Sequence, residues 1–411
     1  MRALVHLFGR FVQTGELRVV DWRGRRHVFR GREGGPVATI ALHDPSLAWR
    51  LLINTDLRAA EAYMDGTLEL VDGTTLHDFL ALYWHNEAAL ASYPTQRLLH
   101  AAWKGARWQQ QFNSIARAKR HASAHYDLPV CFYRLFLDDA LNYSCAYFRD
   151  PNDSLETAQA AKHIHAISKL ALSPGMSVLE IGGGWGQFAI ELAKAGARVV
   201  SLNVSAEQIM LARERAREAG VGDRVEFVLM DYREYRGTFD RVVSVGMMEH
   251  VGAAYLGSYF SALRDFLAPA GYAFIHSIGR MSPPGTTSAF LRKYIFPGGY
   301  APALSETLGA IEKCGLWCAD VEILRLHYAY TIRHWRTRFA ANRHKARALY
   351  DERFCRMWEF YLAGVETAFL YGDQVVFQLL LSKCHDAVAI RRDFMRDAER
   401  RLTKVRGRVN A

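Results

Sequence analysis

The residues best suited to chemistry in this 411-residue chain sit at the ends of short apolar runs. In SVGMMEHVG, residues 244–252, such a run passes directly into Glu249 and His250. A carboxylate beside an imidazole could be a metal half-site, a general acid/base pair, an anchor for another ion, or a salt-bridged strand end. Neighbouring residues do not share a face of a strand or a helix, so the two make a poor pair of ligands to one ion. A second string, VLEIGGGWG at 178–186, runs from apolar residues through Glu180 to Gly182, Gly184 and Gly186. Glycines at such a turn let backbone approach a ligand closely at the start of a helix. The G-x-G-x-G spacing is not that of a dinucleotide site, and the Lys-Ser/Thr of a phosphate loop does not follow.

Positioning these strings requires a scaffold with repeated strand ends. From Met176 onward, SVLEIG, RVVSLNV, VEFVLM, FDRVVSVG, YAFIHSI and VEILRL read as strands, separated by helices such as QFAIELAKAG, SAEQIMLARERAREAG and YLGSYFSALRDFLA. DQVVFQLLLSK is a late apolar strand after a helical block at 333–371. Strands alternating with helices predict βαβ units and a parallel sheet. Residues 1–90 mix short strands (ELRVVDW, HVFRG, ATIAL) with an amphipathic run and read as a small mixed α+β domain. The Gln-, Arg- and Lys-rich stretch 91–120 reads as a basic connecting helix or linker, leaving 121–411 as the α/β domain.

Composition narrows the function. Half the residues are hydrophobic, enough for a sizeable core, yet no window reaches the 18 or so continuous apolar residues of a membrane-spanning helix. The start, with its apolar stretch broken by His6 and Arg10, does not read as a signal peptide. Six scattered cysteines fit a reducing cytoplasm. Cys314 and Cys318 lack a second pair and enclose an apolar Leu-Trp, which favours buried thiols over zinc, and no metal is expected. Lys and Arg outnumber Asp and Glu by 52 to 42, a net charge of +10, which implies an anionic partner, either nucleic acid or phospholipid headgroups. The tail 391–408 carries eight basic and three acidic residues.

An acid followed by G-x-G-x-G at the first strand of an alternating fold resembles the S-adenosylmethionine site of Rossmann-like class I methyltransferases. More of the chain then falls into place. HYDLPVCFYRLFLDDALNYSCAYF, LNVSAEQ, DYREYRGTFDRVVSVGMMEHVG, FIHSIG, RKYIFPGGYAP and LHYAYTIRHW are similar to the cyclopropane-fatty-acyl-phospholipid synthase family, which includes the mycolic acid cyclopropane synthases. GELRVVDWRGRRH and EAYMDGTLEL resemble the N-terminal domain of its longer members. The resemblance implies an S-adenosylmethionine-dependent enzyme that adds a methylene across the cis double bond of unsaturated acyl chains in membrane phospholipids. It also implies a bicarbonate base held by Cys145, Glu249, His276, the Ile278 amide and Tyr328. For the cofactor it implies Tyr143, Ser144, Glu180, Gly182, Gly184 and Gly186, with Asn203 and Gln208 toward the ribose and Asp231 and Tyr232 toward the adenine. Residues 125–136 are expected to lid the slot.

The chemistry fits those residue types. An alkene is a weak nucleophile and needs a sulfonium donor held in line in a dry slot; ring closure then needs a base, with negative charge near the cation. A bicarbonate hydroxyl donates to a carboxylate while its oxygens accept from other groups, so Glu249 can face an anion. The chain departs from relatives at Gly183, where many have Cys, at Asn203, where Thr is common, and at Leu370, where Arg is expected. The first two should be tolerable for cofactor binding; the third puts a polar contact in doubt. A peripheral enzyme at the cytoplasmic face of the membrane and a homodimer are expected. The alternatives are a lipid C-methyltransferase giving a methyl- or methylene-branched chain, a non-catalytic lipid-binding descendant, and a nucleic-acid methyltransferase. The last is disfavoured because the Asn/Asp-Pro-Pro-Tyr/Phe string expected after the fourth strand is replaced by VGMMEHVG.

Overall fold

The apolar runs after residue 176 assemble into one seven-stranded sheet. Its strands are β5 (Ser177–Ile181), β6 (Arg198–Asn203), β7 (Val225–Leu229), β8 (Phe239–Val245), β9 (Leu267–Arg280), β10 (Trp317–Leu324) and β11 (Gln374–Ser382). The order is β10-β11-β9-β8-β5-β6-β7, with β5 to β9 parallel and β11 antiparallel to both its neighbours. β5 lies between β6 and β8, where the strand order reverses, and the carboxyl end of a sheet at such a switch is where open α/β folds bind ligands. β5 and β11 are buried along almost their whole length, as strands covered on both faces must be.

This computed structural model describes residues 1–105, 111 and 128–409. Contacts divide the chain into two units: Met1–Gln110 with Thr286–Pro297 and Ile332–Asp373, and Gln111–Gly285 with Gly298–Thr331 and Gln374–Ala411. The division at 90 and 120 expected from sequence is contiguous, whereas these units are not. The reason lies in long-range side chains: Glu61 accepts from Lys293 and Tyr294, and the Trp84 indole donates to Thr367. Much of the expected linker and the start of the expected lid lie outside the described residues; within them, Pro94–Gly105 is helical.

In the first unit, β1 (Thr14–Val20) pairs antiparallel with β2 (Arg26–Arg30) and parallel with β3 (Glu33–Leu42), which pairs antiparallel with β4 (Leu68–Leu70). In the second, the helix Leu155–Lys169 is nearly all buried, its polar residues included. The C-terminal helix Asp393–Val409 packs on it, with Phe394, Met395 and Leu402 against the core and Arg149 paired to Glu399. Part of the basic tail thus spends its apolar face on packing. Among the described residues no helix is long and apolar enough to cross a membrane. Cys314 is buried, its thiol near the Gly257 carbonyl, while Cys318 lies exposed on β10 rather than buried as expected.

Candidate functional site

The glycine turn is built to bring bare backbone against a ligand. Gly182, Gly184 and Gly186 all have φ between +51° and +85°, the left-handed region that glycine adopts without strain. The Gly182 and Gly183 amides both donate to the Leu202 carbonyl, which pins the turn to β6. A Cβ on Gly184 would meet nothing within 4 Å, whereas one on Gly186 would lie 2.6 Å from Ala212 Cβ. Gly184 is therefore the open position of the cradle and Gly186 a packing position. A bare cradle at the switch point suits the methionine part of S-adenosylmethionine, and the buried Gln208 Nε2, without a hydrogen-bond partner among the described residues, offers a donor nearby.

Other expected cofactor residues are tied into the scaffold. Asn203 donates to the Gly184 carbonyl at 3.0 Å and to Gln208 Oε1 at 2.9 Å, while its Oδ1 accepts from the Val204 and Ser205 amides. Its side chain braces the turn. Glu180 accepts from the Ser201 hydroxyl at 2.6 Å, and a Cβ at Gly183 would fall 2.0 Å from that Ser201 Oγ. Glycine at 183 thus leaves room for the Ser201–Glu180 bond. Asp231 forms an ion pair with Arg233 at 2.7 Å, and Tyr232 packs edge-on to Tyr259.

The loop with Tyr143, Ser144 and Cys145 is stapled to the Leu155–Lys169 helix. Gln159 donates to the Asn142 and Ser144 carbonyls, and the Lys162 ammonium donates to Ser144 Oγ at 3.0 Å and Asn142 Oδ1 at 3.3 Å. Burial lowers Lys162 to about 8, against the pull of Asp138, Cys145 and Glu180. Tyr143 packs edge-on against Tyr133 and Phe136, and Tyr133 against Trp185 of the glycine turn. The described part of the expected lid is this aromatic cluster. Arg215 donates to the Trp185 and Ala140 carbonyls, holding turn and loop together. Lys162, Gln159 and Arg215 were not anticipated; the signal for Lys162 was a charged residue in the middle of a helix that is buried nearly all round.

The residues expected to hold the anion come from separate stretches of chain. Glu249 falls in a 3-10 turn, Met248–His250, just beyond β8 and not on the strand itself. Its Oε1 accepts from the Ile278 amide at 2.6 Å. That amide, expected to hold the anion, donates here to the carboxylate, since the end of β9 runs alongside the turn. Ser277 Oγ donates to the Ile278 carbonyl and lies close enough to Glu249 to favour its charged form, while among the described residues Glu249 Oε2 is buried with no hydrogen-bond partner of good geometry. Two residues back on β9, His276 is buried with Nε2 likewise unpartnered among the described residues, while Nδ1 lies 3.1 Å from Gln378 Nε2. The Ala146 amide donates to Thr331 Oγ1 at 3.0 Å, which joins the Cys145 segment to the helix carrying Tyr328.

Electrostatics keep this site neutral. Burial pushes Glu249 up to about 7, against the Ile278 hydrogen bond, and Glu180 also up to about 7, against Ser201. Burial drives the Cys145 thiol well up, so it is no thiolate nucleophile, and burial together with the Lys162 and Lys169 cations drives His276 down to about 3. A carboxyl raised from 4.5 to about 7 binds its proton more tightly folded than unfolded, so its contribution to stability falls as pH rises through that window. His276, lowered from 6.5, acts in the opposite sense over an overlapping range. The Glu249 share is isolated by E249Q, which keeps an oxygen for the Ile278 amide and does not titrate. Between about pH 5 and 8 the variant should gain on the wild type by on the order of 3 kcal/mol in chemical denaturation. A pH-independent difference would contradict the burial of that carboxyl.

The strand order, the switch-point glycine cradle and the polar groups gathered at the carboxyl ends of β5, β8 and β9 define a class I S-adenosylmethionine-dependent methyltransferase. A family model described as mycolic acid cyclopropane synthetase matches residues 113–379, and the chain belongs to that family. It is 35% identical to the cyclopropane-fatty-acyl-phospholipid synthase of Escherichia coli K12, over 85% of this chain and 89% of that one. It is 40% identical to a probable fatty acid methyltransferase of Pseudomonas putida, over 64% of this chain and 68% of that one. Among solved structures it resembles mycolic acid cyclopropane synthase CmaA1 complexed with SAH and CTAB, at a TM-score of 0.61 and 30% identity, over 64% of this chain and 97% of that one.

Proposed function

We propose that the enzyme adds a methylene from S-adenosylmethionine across the cis double bond of unsaturated acyl chains in membrane phospholipids, closing a cyclopropane ring, with bound bicarbonate as the base. The observation that carries this reading is that Glu249 Oε2 and His276 Nε2 are both buried without a hydrogen-bond partner of good geometry among the described residues. Buried polar atoms rarely go unsatisfied, so such a pair is the mark of a small polar ligand. The sulfonium supplies the methyl group, and bicarbonate supplies an oxygen able to take the proton lost on ring closure. The chain's own residues hold and orient: the glycine cradle, Tyr143, Ser144 and Gln208 take the cofactor, and Cys145, Glu249, His276 and Tyr328 surround the anion. Ile278 acts by fixing Glu249. A neutral thiol and a neutral imidazole leave the bicarbonate, its hydroxyl donated to the carboxylate form of Glu249, as the negative charge near the developing carbocation.

The likeness to a probable fatty acid methyltransferase favours a second reading, in which the same cation loses its proton to give a methyl- or methylene-branched chain. In either case the net charge of +10 suits a peripheral enzyme at the anionic cytoplasmic leaflet, each Lys or Arg near that surface contributing about 1 kcal/mol. A homodimer belongs to the same reading and is checked by sedimentation. The deciding experiment is methyl-labelled cofactor with vesicles of unsaturated phospholipid, followed by mass spectrometry of the lipids. The expected product carries one added CH2 and survives mild hydrogenation. Uptake of hydrogen would establish the branched product, and label absent from lipid would defeat both readings.

A further inference from the structure

One row of side chains crosses the sheet beneath the anion site. In the ladder, Glu322 on β10 stands opposite Gln378 on β11, and Gln378 opposite His276 on β9. Directly opposed residues lie on one face of a sheet, so the three side chains point the same way. The Leu155–Lys169 helix covers that face and sends His165 and Lys169 into it. Lys169 Nζ donates to Gln378 Oε1 at 2.6 Å and also to Glu322 Oε2, which lies 2.7 Å from His165 Nε2. Gln378, Lys169 and His276 are all at most 3% exposed.

We propose that Lys169 and Gln378 are positioning residues that hold His276 as its Nε2–H tautomer, so that the ring donates a hydrogen bond into the anion site. An ammonium has donors only, so the Gln378 amide must turn its oxygen toward Lys169. Its NH2 group then faces His276 Nδ1 at 3.1 Å. Two donors cannot share that contact, so Nδ1 is the acceptor and the ring proton sits on Nε2. Glu322 secures the far end: burial works to raise its pKa, yet the His165 hydrogen bond and the Lys169 charge hold it down at about 2. It is thus a fixed anion that keeps the Lys169 ammonium in place. The tautomer follows from the hydrogen-bond chain alone; only the identity of the acceptor at Nε2 rests on the bicarbonate reading.

The test is long-range proton–nitrogen correlation NMR on the full-length enzyme labelled with 15N-histidine, the His276 signals being assigned by their loss in His276→Phe. The wild type should show the Nε2–H pattern. In Gln378→Glu a carboxylate faces Nδ1 and can only accept, so the proton should move to Nδ1. The kcat should then fall roughly ten- to a hundredfold, the range seen for partners that orient a histidine, with KM for phospholipid within about twofold. Glu322→Gln, at a partly exposed position, frees Lys169 and should give mixed tautomers without touching the core pair. An Nδ1–H wild type, or an unchanged Nε2–H pattern in folded Gln378→Glu, overturns the proposal. A tautomer that moves as expected in an enzyme indifferent to bicarbonate would leave the proposal standing and defeat the anion reading.

Discussion

Replacing Glu249 with Gln is expected to lower methyl transfer to phospholipid vesicles by about 10²–10³-fold in kcat, the cost of removing one preorganised polar group from a buried charge site. Glutamine preserves the oxygen that accepts from the Ile278 amide, so the turn after β8 keeps its shape. What changes is Oε2, an atom with no partner of good geometry among the described residues, which becomes an NH2 group. An acceptor for the bicarbonate hydroxyl is thereby replaced by a donor, and donor meets donor. Cofactor affinity, set at the glycine turn, should stay within about twofold, since distant sites without shared partners act independently. The measurement is label transfer with and without added bicarbonate. Full activity in the variant, or activity in the wild type that ignores removal of dissolved carbon dioxide, would sink the anion-site assignment.

Gly186 and Gly184, two residues apart, should respond in opposite ways. Valine at 186 places a Cβ 2.6 Å from Ala212 Cβ and 3.0 Å from Phe227 Cζ, at a φ of +83°. Left-handed strain of about 1–2 kcal/mol and overpacking of about 1–3 kcal/mol together should lower the melting temperature by roughly 10 °C. Alanine at 184 meets nothing within 4 Å and should cost only the backbone term. It nevertheless fills the open side of the cradle, so cofactor affinity measured by calorimetry should weaken by at least about tenfold, as when overpacking costs 1.4 kcal/mol or more. Equal losses of stability in the two variants would show that the division into packing and cradle positions is mistaken.

The parts legible in the sequence were those with local signals. Apolar runs closed by glycine or by a polar turn marked all seven strands of the large sheet, although β9 and β10 begin earlier than their apolar cores suggest. Glu249 stood out because a charge closes an apolar run, whereas His276 was reached only through the family resemblance. Their partners were not legible. Gln378 lies 102 residues from His276 and 209 from Lys169, and nothing along the chain marks those pairings. A trace existed in AQAAKHIHAISK, where Lys162, His165 and Lys169 recur at helical spacing on a face that is otherwise apolar. The commitment of the Ile278 amide and of Asn203 to scaffold bonds was likewise hidden, because residue type shows donor capacity but not where it is spent.

The interleaving of the two units has a consequence for how the protein is made. β11 occupies an interior position between β9 and β10, yet it follows both of them in the chain, and the segment just before it, Ile332–Asp373, belongs to the other unit. A nascent chain that has emerged only to residue 331 therefore lacks both the strand that joins β10 to the sheet and the helices that complete the N-terminal unit. The first unit can close only once residue 373 has been made, and the sheet of the second only after β11 has followed. Such a late, long-range closure leaves strand edges exposed during synthesis, the period in which a chain of this topology most needs protection from aggregation.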